Sequence, residues 1–146
     1  MDIFLLRCSL GERFLSRDGR QLVRAIGNKI RLTEQPSFDA VVTSPSATAI
    51  QTAELFAERI DHVGVIEVMP SLENDVPPQI AVPDLLAYGS LVVVADEPYL
   101  SSLGAFLISR PTFPMHFHAQ VSVIKNRAPL WYMRADRLDK QLLIVA

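Results

Sequence analysis

The chain holds one thiol, Cys8, and it directly follows Arg7. A guanidinium beside a cysteine favours the thiolate, the form that acts as a nucleophile, so Arg7-Cys8 is a candidate for covalent chemistry. The plainer reading is a partly buried structural thiol. His116 and His118 form a His-x-His pair that, on a strand, would project from one face at a spacing compatible with a metal ion. Two ligands do not make a site. His62 is the only other histidine, and no carboxylate cluster has the spacing to join the pair. No metal or other cofactor is therefore expected, and His116 and His118 read as polar residues of an edge strand or pocket rim. Glu73 and Asp75 could supply a proton in a loop, although solvated carboxylates are the simpler assignment.

The elements that must position these residues alternate. Asp2 to Arg7 is a short apolar run suited to a first strand, and Ser16 then caps a segment with Leu22, Val23, Ile26 and Ile30 at helical spacing. Asp18-Gly19-Arg20 reads as the start of that helix. Asp39 to Thr43 predicts a second strand stopped at Ser44-Pro45, with the Ser44 hydroxyl expected to cap a helix marked by Ala49, Ala53, Phe56 and Ile60. Val63 to Met69 predicts a third strand. The proline-rich stretch from Pro70 to Pro83 reads as loop, with at most a short helix around Asp84 to Tyr88.

Leu91 to Ala95 (LVVVA) has the continuous apolar character of a strand buried on both faces, and Pro98 stands where a helix through Leu100, Leu103 and Leu107 can begin. Ala119 to Lys125 and Pro129 to Arg134 predict neighbouring strands of an edge hairpin, with Trp131 and Tyr132 on the sheet edge and Gln141 to Ala146 as a packed tail. The alternation predicts a single α/β domain over residues 1–146, a mostly parallel doubly wound sheet flanked by helices. A chain of 146 residues can bury roughly 70% of its unfolded surface.

Composition narrows the function classes. Hydrophobic residues make up 49% and the formal net charge is −2, which argues against nucleic acid as the main partner. A lone cysteine cannot form an intrachain disulfide and fits a reducing, cytoplasmic setting. No apolar run of about 18 residues is available for a membrane span.

Ligands of open α/β sheets bind beyond the carboxyl ends of the strands, here Arg7-Cys8-Ser9, Thr43-Ser44-Pro45 and Asp96-Glu97-Pro98. Four phrases in order resemble the histidine phosphatase (phosphoglycerate mutase-like) superfamily, particularly its short SixA-type phosphohistidine phosphatases. IFLLRCS stands where that family has a strand ending in Arg-His-Gly, and LSRDGR where it has Leu-Thr-x-x-Gly-Arg. VVTSPSATAIQTAELFA is similar to its Thr-Ser-Pro-x-x-Arg-Ala-x-Gln-Thr-Ala, and VVVADEP occupies the place of a strand followed by Gly-His-x-Pro.

The resemblance implies a phosphoglycerate mutase-like fold and a site built on Arg7. In such enzymes a histidine after the first arginine takes up the phosphoryl group, while a second arginine and a second histidine hold the phosphate. At the corresponding positions this chain carries Cys8, Thr48 and Asp96. Larger members of the superfamily supply an acidic proton donor in the region of Glu73 and Asp75, an insertion that SixA-type members lack.

A carboxylate at Asp96 opposes a dianion by about 4 kcal/mol per like-charge pair at about 4 Å and an effective dielectric near 20. Thr48 offers a neutral hydroxyl where a guanidinium would bind in bidentate fashion. Arg7 is thus the one phosphate-binding candidate, with Asp96 as its potential partner, and weak or absent phosphate binding is expected. Cys8 resembles the nucleophile of a Cys-x5-Arg phosphatase loop poorly, because Arg13 falls one residue short and Phe14 occupies the required place. The leading expectation is a catalytically inactive binding or regulatory module. The alternative is a phosphatase of altered chemistry, acting on phosphohistidine or a small phosphoester, with either Cys8 as nucleophile or Arg7 and solvent. A protein partner or self-association through the Pro70–Pro83 loop and the His116 edge is a further expectation.

Overall fold

A computed structural model describes residues 1–145. Seven strands form one sheet in the order β3-β2-β4-β1-β5-β6-β7. The strands are β1 (Asp2–Arg7), β2 (Ala40–Thr43), β3 (Val65–Val68), β4 (Ser90–Ala95), β5 (Val121–Lys125), β6 (Ala128–Met133) and β7 (Gln141–Leu142). The four strands from β3 to β1 run parallel, whereas β5, β6 and β7 join in antiparallel fashion. The predicted parallel α/β layout thus holds for the half of the sheet that carries the strand exits. The C-terminal hairpin is built onto β1, and the tail supplies the last edge strand.

Two apolar layers sandwich the sheet. Helix α1 (Arg17–Glu34) buries Val23, Ile26 and Ile30, and α2 (Ala47–Arg59) buries Ala49, Ala53 and Phe56, at the 3–4-residue spacing that keeps a single stripe inward. These side chains pack with Phe4, Leu6, Val41, Val92 and Val94 on one face. On the other face α4 (Tyr99–Ile108) and the one-turn α3 (Val82–Leu85) cover Leu5, Val42, Leu91 and Val93. Strand β4 lies between β2 and β1 with Leu91 through Ala95 wholly buried, which explains its uninterrupted apolar run.

Local chemistry sets the helix starts. The Ser16 hydroxyl accepts the Gly19 N–H at 3.0 Å, and the Ser46 hydroxyl accepts the Ala49 N–H at 3.3 Å. Ser46 therefore caps α2, not Ser44 as expected from sequence; the Ser44 N–H instead continues the sheet to the Val94 carbonyl at 2.9 Å. The proline-rich stretch contains two 3-10 turns, Pro70–Leu72 and Pro78–Ile80, and its short helix begins at Val82, earlier than predicted. Trp131 meets the Phe4 ring edge-on at 5.9 Å and lies under the Lys140 ammonium at 4.7 Å.

Candidate functional site

Parallel register brings three strand ends together, with Arg7 opposite Ala95 and Thr43 opposite Val94. The residues just beyond these strands converge, as their order along the sheet requires. Arg7 Nε donates to Asp96 Oδ1 at 3.1 Å, and Arg7 Nη1 donates to the His116 carbonyl at 2.9 Å. The same Asp96 Oδ1 accepts the Glu97 N–H at 2.8 Å. The guanidinium is thus held by groups of the protein itself. The Arg7 side chain retains 21% of its exposure and that of Asp96 47%, so solvent moderates the pair's contribution to stability to about 1 kcal/mol or less.

Cys8 lies behind this pair, 2% exposed, its N–H donated to the Ala95 carbonyl at 3.0 Å. Its thiol is pushed up to about 11, first by burial and then by the negative charge of Asp96. A hydrogen bond with Thr48 and the charge of Arg7 pull the other way without prevailing. Arg7, Cys8, Thr48 and Asp96 therefore meet at one place, but Arg7 does not produce a thiolate there. At neutral pH the thiol stays protonated.

The loop from Ser9 to Ser16 closes beside them. Ser9 N–H donates to Thr52 Oγ1 at 3.1 Å, and Ser9 Oγ donates to the Gly19 carbonyl at 2.8 Å. Leu10 comes so close to α1 that a Cβ at Gly19 would sit 2.1 Å from the Leu10 carbonyl oxygen, so the glycine is a condition of the loop's position. Beside Thr48 and Asp96 opens a cleft of about 490 Å³, lined also by Ser44, Ser46, Leu72, Glu73, Asn74 and Asp75, while Arg7 and Cys8 lie outside its lining. Asp96 and Glu12 complete it; four carboxylates face the cleft and no lysine or arginine lines it.

Solved proteins share this fold. A protein histidine phosphatase SixA in complex with tungstate superposes with a TM-score of 0.86 at 21% identity, over 93% of this chain and 98% of that one. This is the histidine phosphatase fold. A mycobacterial glucosyl-3-phosphoglycerate phosphatase matches with a TM-score of 0.65 at 16% identity, covering 85% of this chain and 92% of its own. The α-ribazole phosphatase from Shigella flexneri matches with a TM-score of 0.67 at 14% identity over 98% of this chain and 96% of its own. No family model and no curated sequence matches the chain.

Within this histidine phosphatase fold, several residues that brace the cleft were not legible from the sequence. Glu97 is buried, and its Oε2 accepts both the backbone N–H of His116 at 2.6 Å and an N–H of the His116 ring through Nδ1 at 2.9 Å. Its Oε1 accepts the Ser101 N–H at 2.8 Å. Burial alone would raise the Glu97 carboxyl, but these hydrogen bonds outweigh it and hold the group below its ordinary value. Asn74 ties the opposite wall to the same place, donating to the Glu97 carbonyl at 3.2 Å and accepting the Tyr99 N–H at 3.0 Å. A glutamate before a proline gives no sign in sequence that it will be buried.

His116 and His118 lie in the irregular segment between α4 and β5, not on a strand. His116 is buried against Glu97 and stacked on Phe113 at 5.8 Å, whereas the His118 ring meets the Cys8 carbonyl through Nδ1 at 3.1 Å. His62 Nε2 meets the Val65 carbonyl at 3.1 Å, far along the chain from both. Among the described residues no group of three or more histidine, cysteine or acidic side chains could hold a metal ion. None of the described helices is long and apolar enough to cross a membrane.

Proposed function

We propose that the chain is a histidine-phosphatase-like module that binds or regulates without turning over phosphate, within a cytoplasmic setting that suits a lone thiol. The observation that carries this reading is the Arg7–Asp96 pair at 3.1 Å. Phosphoryl transfer needs convergent positive donors around a dianion and a nucleophile able to attack phosphorus. Here the one guanidinium is matched by a carboxylate, the cleft adds Glu12, Glu73 and Asp75, and the neighbouring Cys8 is a protonated thiol. Phosphate binding by this cleft is weak or absent. A thiol near 11 also gives no support to a phosphatase that uses Cys8 as its nucleophile.

The test is hydrolysis of p-nitrophenyl phosphate and of a phosphohistidine-bearing protein by the purified chain, alongside Arg7→Ala. The expected result is the same background rate for both proteins. Turnover by the parent that disappears in Arg7→Ala would overturn the proposal.

A further inference from the structure

The charges of this chain are segregated. All seven Asp, Glu, Lys and Arg side chains between Ile60 and Ser109 are acidic, and all 14 lysines and arginines lie outside that segment. The segment includes β3, the last strand on its side of the sheet, paired only with β2. Met69 N–H donates to the Thr43 carbonyl at 2.8 Å, which turns the backbone of Met69, Glu67 and Val65 toward β2. Alternation along the strand then points the N–H and C=O groups of Ile66 and Val68 outward, where no strand meets them.

The side chains along this edge are unusually apolar. Val65 is 63% exposed, Ile66 39% and Val68 45%, and Val63 just before them is fully exposed. Of the devices that blunt an edge strand, β3 has short length and one charge, Glu67, but no lysine, proline or bulge. Register assigns the faces: Ile66 and Val68 lie on the side of Val41 and helix α2, Val65 and Glu67 on the side of Ala40 and Val42. One face of the open edge is therefore apolar, and the other carries Glu67, which accepts the Tyr88 hydroxyl at 2.8 Å.

We propose that β3 is a docking edge for an extended segment of a partner protein that alternates basic and apolar residues and adds as an eighth strand. Its apolar side chains lie beside Ile66 and Val68, its lysines or arginines lie beside Glu67, and its backbone meets the outward groups of β3. Charge chooses this occupant over a second copy, because two identical edges would bring Glu67 of one copy close to Glu67 of the other, whereas a basic segment complements it. The proposal does not depend on whether the cleft turns over phosphate.

The test uses the full chain labelled with nitrogen-15 and a capped peptide of about eight residues alternating valine and lysine. A peptide alternating valine and glutamate is the control. The expected result is amide shifts centred on Gly64 to Met69, with affinity falling about tenfold from about 50 mM to about 0.5 M salt. Glu67→Lys is expected to weaken binding roughly fivefold. Ile66→Pro removes an outward N–H without touching the ladder to β2, so it is expected to abolish binding while the thermal midpoint stays within a few degrees. Equal binding of the glutamate peptide, shifts confined to the cleft around Glu73 and Asp96, or no binding at about 1 mM would each overturn the proposal. So would a dimer in sedimentation that Ile66→Pro dissolves, since the edge would then serve a second copy.

Discussion

Replacing Asp96 by asparagine removes one negative charge from the cleft and keeps an oxygen for the Glu97 N–H that Asp96 Oδ1 accepts at 2.8 Å. An anion that took the carboxylate's place at Arg7 would approach Nε to the same hydrogen-bonding range, 3.1 Å in the present pair. At about 4 Å a unit like-charge pair repels by about 4 kcal/mol at a dielectric near 20 and by about 1 kcal/mol in water. With the Asp96 side chain 47% exposed, the water-like value is the safer one, and for a dianion it doubles to about 2 kcal/mol. Asp96→Asn is therefore expected to bind inorganic phosphate or tungstate roughly 30-fold more tightly than the parent. Titration calorimetry near neutral pH measures this directly. Because Arg7 is the donor released, adding Arg7→Ala to Asp96→Asn is expected to cancel the gain. A gain that survives the loss of Arg7, or no gain at all, would refute the assignment of Asp96 as the group that closes this site.

Cys8 in the native protein is expected to react with iodoacetamide near neutral pH at least about a hundredfold more slowly than in denaturant, as its burial and a thiol near 11 require; mass spectrometry of timed samples reads the difference. Glu97→Gln leaves the buried His116 and Ser101 donors poorly matched and is expected to destabilise the fold by about 2–3 kcal/mol in urea melts. Because the folded Glu97 carboxyl lies below its ordinary value, its contribution is present above about pH 4.3, the unfolded range, and fades as acid drives the pH down through the folded value. Stability of the parent should thus drop more steeply below pH 4.3 than that of Glu97→Gln. Gly19→Ala is expected to cost more than about 2 kcal/mol, since its methyl would strike the Leu10 carbonyl at 2.1 Å, and urea melts would show the loss. Ser46→Ala should cost about 1 kcal/mol and Ser44→Ala much less through capping, because only Ser46 caps α2.

The elements were readable where the apolar period was strong. Leu91 to Ala95 announced a strand buried on both faces, and Val23, Ile26 and Ile30 a helix stripe. Ser44 and Ser46 both precede α2, so only the backbone's departure from β2 decided which one caps it. The segment from Pro111 to His118 defeated periodicity, because its course is set by the buried Glu97 carboxylate more than by propensity. At the site, Arg7, Cys8, Thr48 and Asp96 could be placed from phrase order alone, since strand ends in a parallel sheet share one edge. Glu12 and Asn74 could not, as they reach the cleft from loops whose paths are fixed by long-range contacts such as Asn74 with Glu97.

The buried Glu97 carboxylate makes the rear of the cleft a single mechanical piece. Through it the start of α4 and the segment of His116 share bonds, the loop carrying Asn74 donates to the main-chain carbonyl of the same residue, and the His116 carbonyl passes the constraint on to Arg7. Loosening the start of α4 or the segment of His116 by itself would strand a buried charge, so these two open in concert or stay shut. Hydrogen exchange would register this as one common protection level for the amides of Ser101 and His116, separated in sequence but released in the same event.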